Sequence, residues 1–210
     1  MTNEFSSTKK RLLDFKGAQA CSRPFPHFVV PECLDEVVAE RLLDWFDHEA
    51  PWKVQEMDGF YKLYKVSLME VQLPQELQFL IEDQFIDEIR ECIGSIFNLQ
   101  FSGPVQIDAH LLTTGFKIGI HTDFGETNQT HRFLIQLNRG WNAKNGGYLV
   151  LLPTNAPSDV SAEHMFYAPT HRSGIGFAIS ERSFHAVTPV TNGKRFTLCY
   201  SIEREHAVQQ

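Results

Sequence analysis

A chain of 210 residues, 42% hydrophobic with 17 Phe, is long enough to bury one substantial core. Its net charge of −7 argues against a nucleic-acid groove, and the one basic cluster is Lys9, Lys10 and Arg11. No stretch approaches the roughly 18 apolar residues of a membrane helix, no apolar signal segment opens the N-terminus, and no repeat or Pro/Gly/Ser linker divides the chain.

These features lead us to expect a single domain spanning residues 1–210. Residues 1–22 are polar and read as flexible. Residues 25–30, Phe-Pro-His-Phe-Val-Val, read as a first strand. Residues 35–48 place Val37, Val38, Leu42, Leu43, Trp45 and Phe46 at helical spacing and predict an amphipathic helix. Residues 60–66 alternate as a strand. Residues 76–97, with Leu77, Leu80, Ile81, Phe85, Ile86, Ile89, Ile93 and Phe97, predict one longer helix. From Val105 onward short strands follow one another between Gly, Asn and Pro turns, the pattern of a barrel or sandwich. Cys21, Cys33, Cys92 and Cys199 form no Cys-x-x-Cys pair, which points to reduced thiols and a cytoplasmic protein.

The chemistry is concentrated near the end of the chain. His121-Thr122-Asp123 closes an alternating apolar run, and His185 follows in Phe184-His185-Ala186-Val187. Two imidazoles and one carboxylate can hold Fe(II) on one face and leave the opposite positions open. In extended backbone residues i and i+2 point the same way, so His121 and Asp123 could reach one ion. Zinc suits the same ligands, but zinc hydrolysis gives no reason for Arg195, ten residues after His185, whose guanidinium fork could clamp the far carboxylate of a keto acid.

Residues 115–123, Leu134-Ile135-Gln136-Leu137-Asn138, Gly146-Gly147-Tyr148-Leu149-Val150-Leu151, Gly174-Ile175-Gly176-Phe177, and residues 185–190 through Gly193-Lys194-Arg195-Phe196-Thr197 together resemble the prolyl-4-hydroxylase-like branch of the 2-oxoglutarate/Fe(II)-dependent dioxygenases. The resemblance covers about half the chain and places a catalytic core at residues 105–203. It implies a mainly β protein with flanking helices, whose double-stranded β-helix (a jelly-roll, cupin-like core) is buttressed by the N-terminal α-helices. It implies His121, Asp123 and His185 as catalytic iron ligands. The cofactor set it implies is Fe(II), 2-oxoglutarate and O2, with ascorbate a further candidate.

Arg195 is expected at the 5-carboxylate of 2-oxoglutarate, with Thr197 as a supporting hydroxyl. Gln136 stands where relatives often carry a tyrosine that bonds the same carboxylate. Arg132 shares a strand face with Leu134 and Gln136 by period two, and is expected to point at the keto-acid head or at a substrate carboxylate. Two departures stand out. Leu112 occupies a place where relatives commonly have a tyrosine, so that contact is missing or comes from His110 or Thr114, and His131-Arg132 replaces a small or hydroxyl pair.

The resemblance implies hydroxylation of an unactivated C–H bond, with succinate and CO2 as coproducts. The substrate would be an amino-acid side chain in a peptide or protein, or an amino-acid-like metabolite. The alternatives are another outcome of the same iron chemistry, such as desaturation or N-demethylation, or a non-catalytic jelly-roll binding protein. Composition argues against nucleic-acid and membrane partners, and oligomeric state is not legible. Specificity is expected on mouth loops at residues 52–64, 124–130 and 153–170.

Overall fold

The computed structural model describes residues 11–125, 128–156 and 163–204. Strand β1 (Gln19–Cys21) pairs with β2 (His27–Val30), and helix α1 (Glu36–His48) follows. Asp35 caps α1 by accepting from the Val37 N–H at 3.0 Å, which satisfies a donor that no turn precedes. A hairpin of β3 (Lys53–Met57) and β4 (Tyr61–Ser67) leads to helix α2 (Asp83–Phe97). The remaining strands are β5 (Val105–Thr113), β6 (Ile118–His121), β7 (Gln129–Gln136), β8 (Leu149–Leu151), β9 (Met165–Tyr167), β10 (Gly174–Ala178), β11 (His185–Val187) and β12 (Lys194–Glu203).

All twelve join one curled antiparallel sheet in the order β1-β2-β10-β7-β12-β5-β4-β6-β11-β8-β9, with β3 on the edge of β4. This is the expected mainly β jelly-roll with flanking helices. Strand β12 shows how the sheet is built. Phe196, Leu198, Tyr200 and Ile202 join Leu42, Phe46, Leu80 and Ile89 in one apolar core. Arg195, Thr197, Cys199 and Ser201, on the opposite face by period two, line the hollow inside the curl. Glycines in β10 admit large rings on its outer side: a Cβ at Gly176 would fall 2.2 Å from Phe28, and one at Gly174 2.9 Å from Phe133.

Four expectations are corrected. The predicted helix at 76–97 is two elements, a 3-10 helix (Gln75–Ile81) and α2, separated by Glu82 at φ −80°, ψ 144°. Leu77 and Leu80 keep the three-residue spacing that suits a 3-10 turn, whereas Phe85, Ile86, Ile89 and Ile93 keep the α spacing. The stretch 1–22 is not uniformly loose: Leu13 is buried and bridges Leu34, and β1 precedes the strand read as first. Residues 1–10 lie outside the described residues. Finally, two segments read as mouth loops contain strands beyond the one expected at 60–66: 52–64 holds β3 and 153–170 holds β9, while 124–130 runs into the first residues of β7. Every residue of β3 is exposed, so no apolar alternation marks it.

Candidate metal centre and cavity

His121 ends β6, and His185 opens β11 directly opposite it in the ladder. The third residue, Asp123, is not in extended backbone. It sits two residues beyond the strand at φ +60°, so a left-handed turn, and not strand periodicity, carries its carboxylate round to the two rings. Aspartate tolerates that conformation better than most residues. The ligand atoms of His121, Asp123 and His185 lie within 4.8 Å of one another. His121 Nε2 is 3.5 Å from Asp123 Oδ1, and His185 Nε2 is 3.2 Å from Asp123 Oδ2.

The donor set fits a cation. His121 Nδ1 is 2.9 Å from the Gly119 carbonyl oxygen and His185 Nδ1 is 2.8 Å from that of Ser183. A carbonyl can only accept, so each Nδ1 carries a proton and each ring is oriented with Nε2 toward the carboxylate. Two Nε2 atoms and a carboxylate thus converge, the donor set that a metal ion takes. Burial first, then neighbouring His185, pushes His121 down to about 4, which keeps it neutral. Burial works against ionising Asp123, yet contacts with His185 and the Arg132 guanidinium outweigh it and hold the carboxyl below its usual range. Asp123 Oδ2 lies 2.7 Å from Arg132 Nη1 as an ion pair, and among the described residues it accepts no well-formed hydrogen bond.

The triad opens on a cavity of about 360 Å³. At one end Arg195 is buried at 2% exposure. Its Nε donates to the Gly147 carbonyl at 2.8 Å and its Nη1 to the Thr197 hydroxyl at 2.7 Å, and that hydroxyl donates to Gln136 Oε1 at 2.9 Å. Among the described residues no carboxylate is paired with this guanidinium, and burial lowers its pKa only to about 10, so it is a buried cation awaiting an anion. Gln136 does not line the cavity itself; it stands behind Thr197 and borders a separate pocket of about 180 Å³.

Arg132 reaches the cavity as expected, donating from Nη2 to Gln129 Oε1 at 3.1 Å while Nη1 faces Asp123. Leu112 is fully buried, opposite Arg195 in the ladder. Of the two candidates to replace a tyrosine there, His110 lines the cavity beside Thr197, whereas Thr114 is not among its lining residues. Burial, then the cations Arg132, Lys65 and Arg195, pushes His110 down to about 3. His131 turns the other way and packs between Phe97 and Phe101, and His171 pairs with Glu40 far from the cavity.

Sequence reasoning missed the opposite end of the cavity. There Lys65 Nζ lies 2.8 Å from Asp108 Oδ2, which also accepts from Gln106 Nε2 at 2.6 Å, and Gln129 Nε2 donates to Gln106 Oε1 at 2.9 Å. The signal was present: Gln106, Asp108 and His110 are polar at period two within an apolar strand. Ser183, fully buried, was also missed; its carbonyl orients His185 and its hydroxyl donates to the Thr122 carbonyl at 3.1 Å, tying the two ligand segments together.

Residues 106–202 match the model of the 2OG-Fe(II) oxygenase superfamily. The fold is similar to a Pseudomonas putida prolyl-4-hydroxylase (18% identity, TM-score 0.63, covering 80% of this chain and 85% of that one). It is also similar to a 2OG-Fe(II) oxygenase family oxidoreductase from Burkholderia pseudomallei (18%, TM-score 0.66, 85% and 86%). A Trichoplax adhaerens prolyl hydroxylase, solved in complex with a hypoxia inducible factor oxygen degradation domain peptide fragment, shares the fold as well (13%, TM-score 0.60, 84% and 83%). A search of curated proteins finds no match. The family match over residues 106–202, just under half of the chain, supports an enzyme of 2OG-Fe(II) oxygenase type over a non-catalytic binding protein.

Proposed function

We propose that the protein is a hydroxylase in which His121, Asp123 and His185 hold Fe(II) and Arg195 holds the 5-carboxylate of 2-oxoglutarate. Iron with 2-oxoglutarate and O2, the set the superfamily uses, supplies the oxidising power and leaves succinate and CO2. The observation that carries the reading is the buried Arg195 guanidinium, without a carboxylate partner among the described residues, in the same cavity as three converging metal donors.

The chain's own residues supply position and dryness. Gly119 and Ser183 carbonyls fix which nitrogen of each histidine faces the metal. Thr197, between Arg195 and Gln136, holds the guanidinium plane so that its remaining N–H groups face the cavity. Leu134, Leu149, Phe177 and Val187 add apolar walls to the cavity and exclude water, which strengthens a charge pair formed inside it. His110 stands where it can contact the keto acid in place of the missing tyrosine. We place the whole chain in one domain, since both helices share the core of the sheet that carries the site. The four free cysteines suit a reducing, cytoplasmic setting.

The substrate we propose is an amino-acid side chain, in a peptide or protein or in an amino-acid-like metabolite; the peptide bound to the Trichoplax enzyme supports the first form. The test is aerobic incubation with Fe(II), 2-oxoglutarate and pools of amino acids and short peptides, read by mass spectrometry. Hydroxylation gives a product heavier by one oxygen atom, with one succinate formed for each. Loss of two hydrogens would show desaturation instead, and product formed without O2 would remove the protein from this chemistry.

A further inference from the structure

Among the described residues five charged side chains line the cavity: Lys65, Arg132 and Arg195 against Asp108 and Asp123. They leave one positive charge. Adding a divalent iron and a doubly negative 2-oxoglutarate, as proposed above, leaves that charge in place. Arg195 is then neutralised by the cosubstrate, and Lys65 by Asp108 at 2.8 Å. The uncompensated cation is Arg132. Its carboxylate partner Asp123 is shared with the metal, and among the described residues its Nη2 donates to the neutral Gln129 amide and its buried Nε has no hydrogen-bond partner. A buried cation in that position costs free energy that a ligand anion would remove.

The ladder places this charge away from the cosubstrate. Arg132 is opposite Ser201 and Gln136 opposite Thr197, so Arg132 lies six residues along β12 from Arg195, roughly 20 Å between backbones. Its guanidinium meets Asp123 from the end of the cavity that Gln106, Asp108 and Gln129 make polar. A keto acid held at Arg195 and the metal fills the opposite end.

We propose that Arg132 is the substrate anchor and that the substrate presents its α-carboxylate to it, with the polar remainder set against Gln106, Gln129 and Ser201. An internal residue of a peptide has its α-carboxylate tied up in an amide, so the substrate is a free amino acid or the C-terminal residue of a chain. This rests on the assignment of the triad and Arg195.

The test measures binding, not turnover. Protein loaded with Mn(II) and 2-oxoglutarate under nitrogen is titrated with the proteinogenic amino acids as free acids and as primary amides, and with tripeptides whose C-termini are free or amidated. At least one acid should bind about ten-fold or more tightly than its amide, the worth of one charge-assisted contact. Binding confined to amino acids would identify a metabolite, and binding confined to acid tripeptides a chain terminus. Arg132→Leu should erase the preference for acid while 2-oxoglutarate still binds with parent affinity, and Arg132→Lys should keep part of it. Should a variant fail to retain Mn(II), the parent comparison of acid with amide still decides. Equal binding of acids and amides, binding of neither, or a preference that survives Arg132→Leu would overturn the proposal. A parent protein that takes up neither Mn(II) nor 2-oxoglutarate would overturn the underlying reading with it, a result visible before any amino acid is added.

Discussion

Arg195 shows how much a single side chain depends on its surroundings. A surface arginine could sit ten residues after a histidine by chance, but this one is buried, with Nε and Nη1 already committed to Gly147 and Thr197. A Cβ at Gly147 would approach the Arg195 side chain to 3.0 Å, so the glycine is what lets the backbone carbonyl lie against it. Arg195→Ala should weaken 2-oxoglutarate binding by about one to two decades, from the roughly 1.5–3 kcal/mol of a charge-assisted contact. Arg195→Lys should fall between the two, because an ammonium cannot reproduce the fork. Equilibrium dialysis with labelled 2-oxoglutarate reads both, and parent affinity in the alanine variant would remove Arg195 from the cosubstrate site. Sequence spacing alone pointed to this residue; its burial and its support by Gly147 were not legible, because both depend on a strand distant in the chain.

At the scale of elements, what was legible followed periodicity and what was not followed tertiary contact. Helix α1 and strands β5 and β12 match their apolar patterns closely. The left-handed turn at Asp123 and the all-exposed strand β3 carry no such pattern. His131 belongs to the same lesson: read as a departure near the site, it is a packing residue in the seam between α2 and β7, in contact with Phe97 and Phe101. Burial, with Arg204 nearby, pushes it down to about 4. An unfolded imidazole titrates near about 6.5, so between these values the unfolded chain binds more protons and stability falls as pH falls through that window. From about pH 7.5 to about pH 5 this residue alone should remove about 2 kcal/mol. Urea unfolding of the metal-free protein at the two pH values checks it: His131→Phe should lose that share of the pH dependence, and an unchanged dependence would place the titration elsewhere.

For the molecule as a whole, the curl of one sheet brings together residues that the sequence separates by 64 positions, His121 and His185, as partners in adjacent strands. The same curl sets two cations six strand positions apart in the cavity, Arg195 beside Gly147 and Thr197 and Arg132 beside Asp123 and Gln129. The chemistry was legible because metal ligands and a keto-acid clamp require particular residue types in order. The substrate end was not, because Lys65, Gln106, Asp108 and Gln129 become one network only when β4, β5 and β7 are placed. The central claim is that triad and Arg195 form one site, and an anaerobic titration with Fe(II) and then 2-oxoglutarate tests it most directly. Chelation of a ferrous ion by a keto acid gives a weak visible charge-transfer band. The account predicts a band that saturates at one iron and one 2-oxoglutarate per chain, absent in His185→Ala and shifted to higher 2-oxoglutarate concentration in Arg195→Ala. A parent protein that shows no band, or a band unaffected by either substitution, would contradict it.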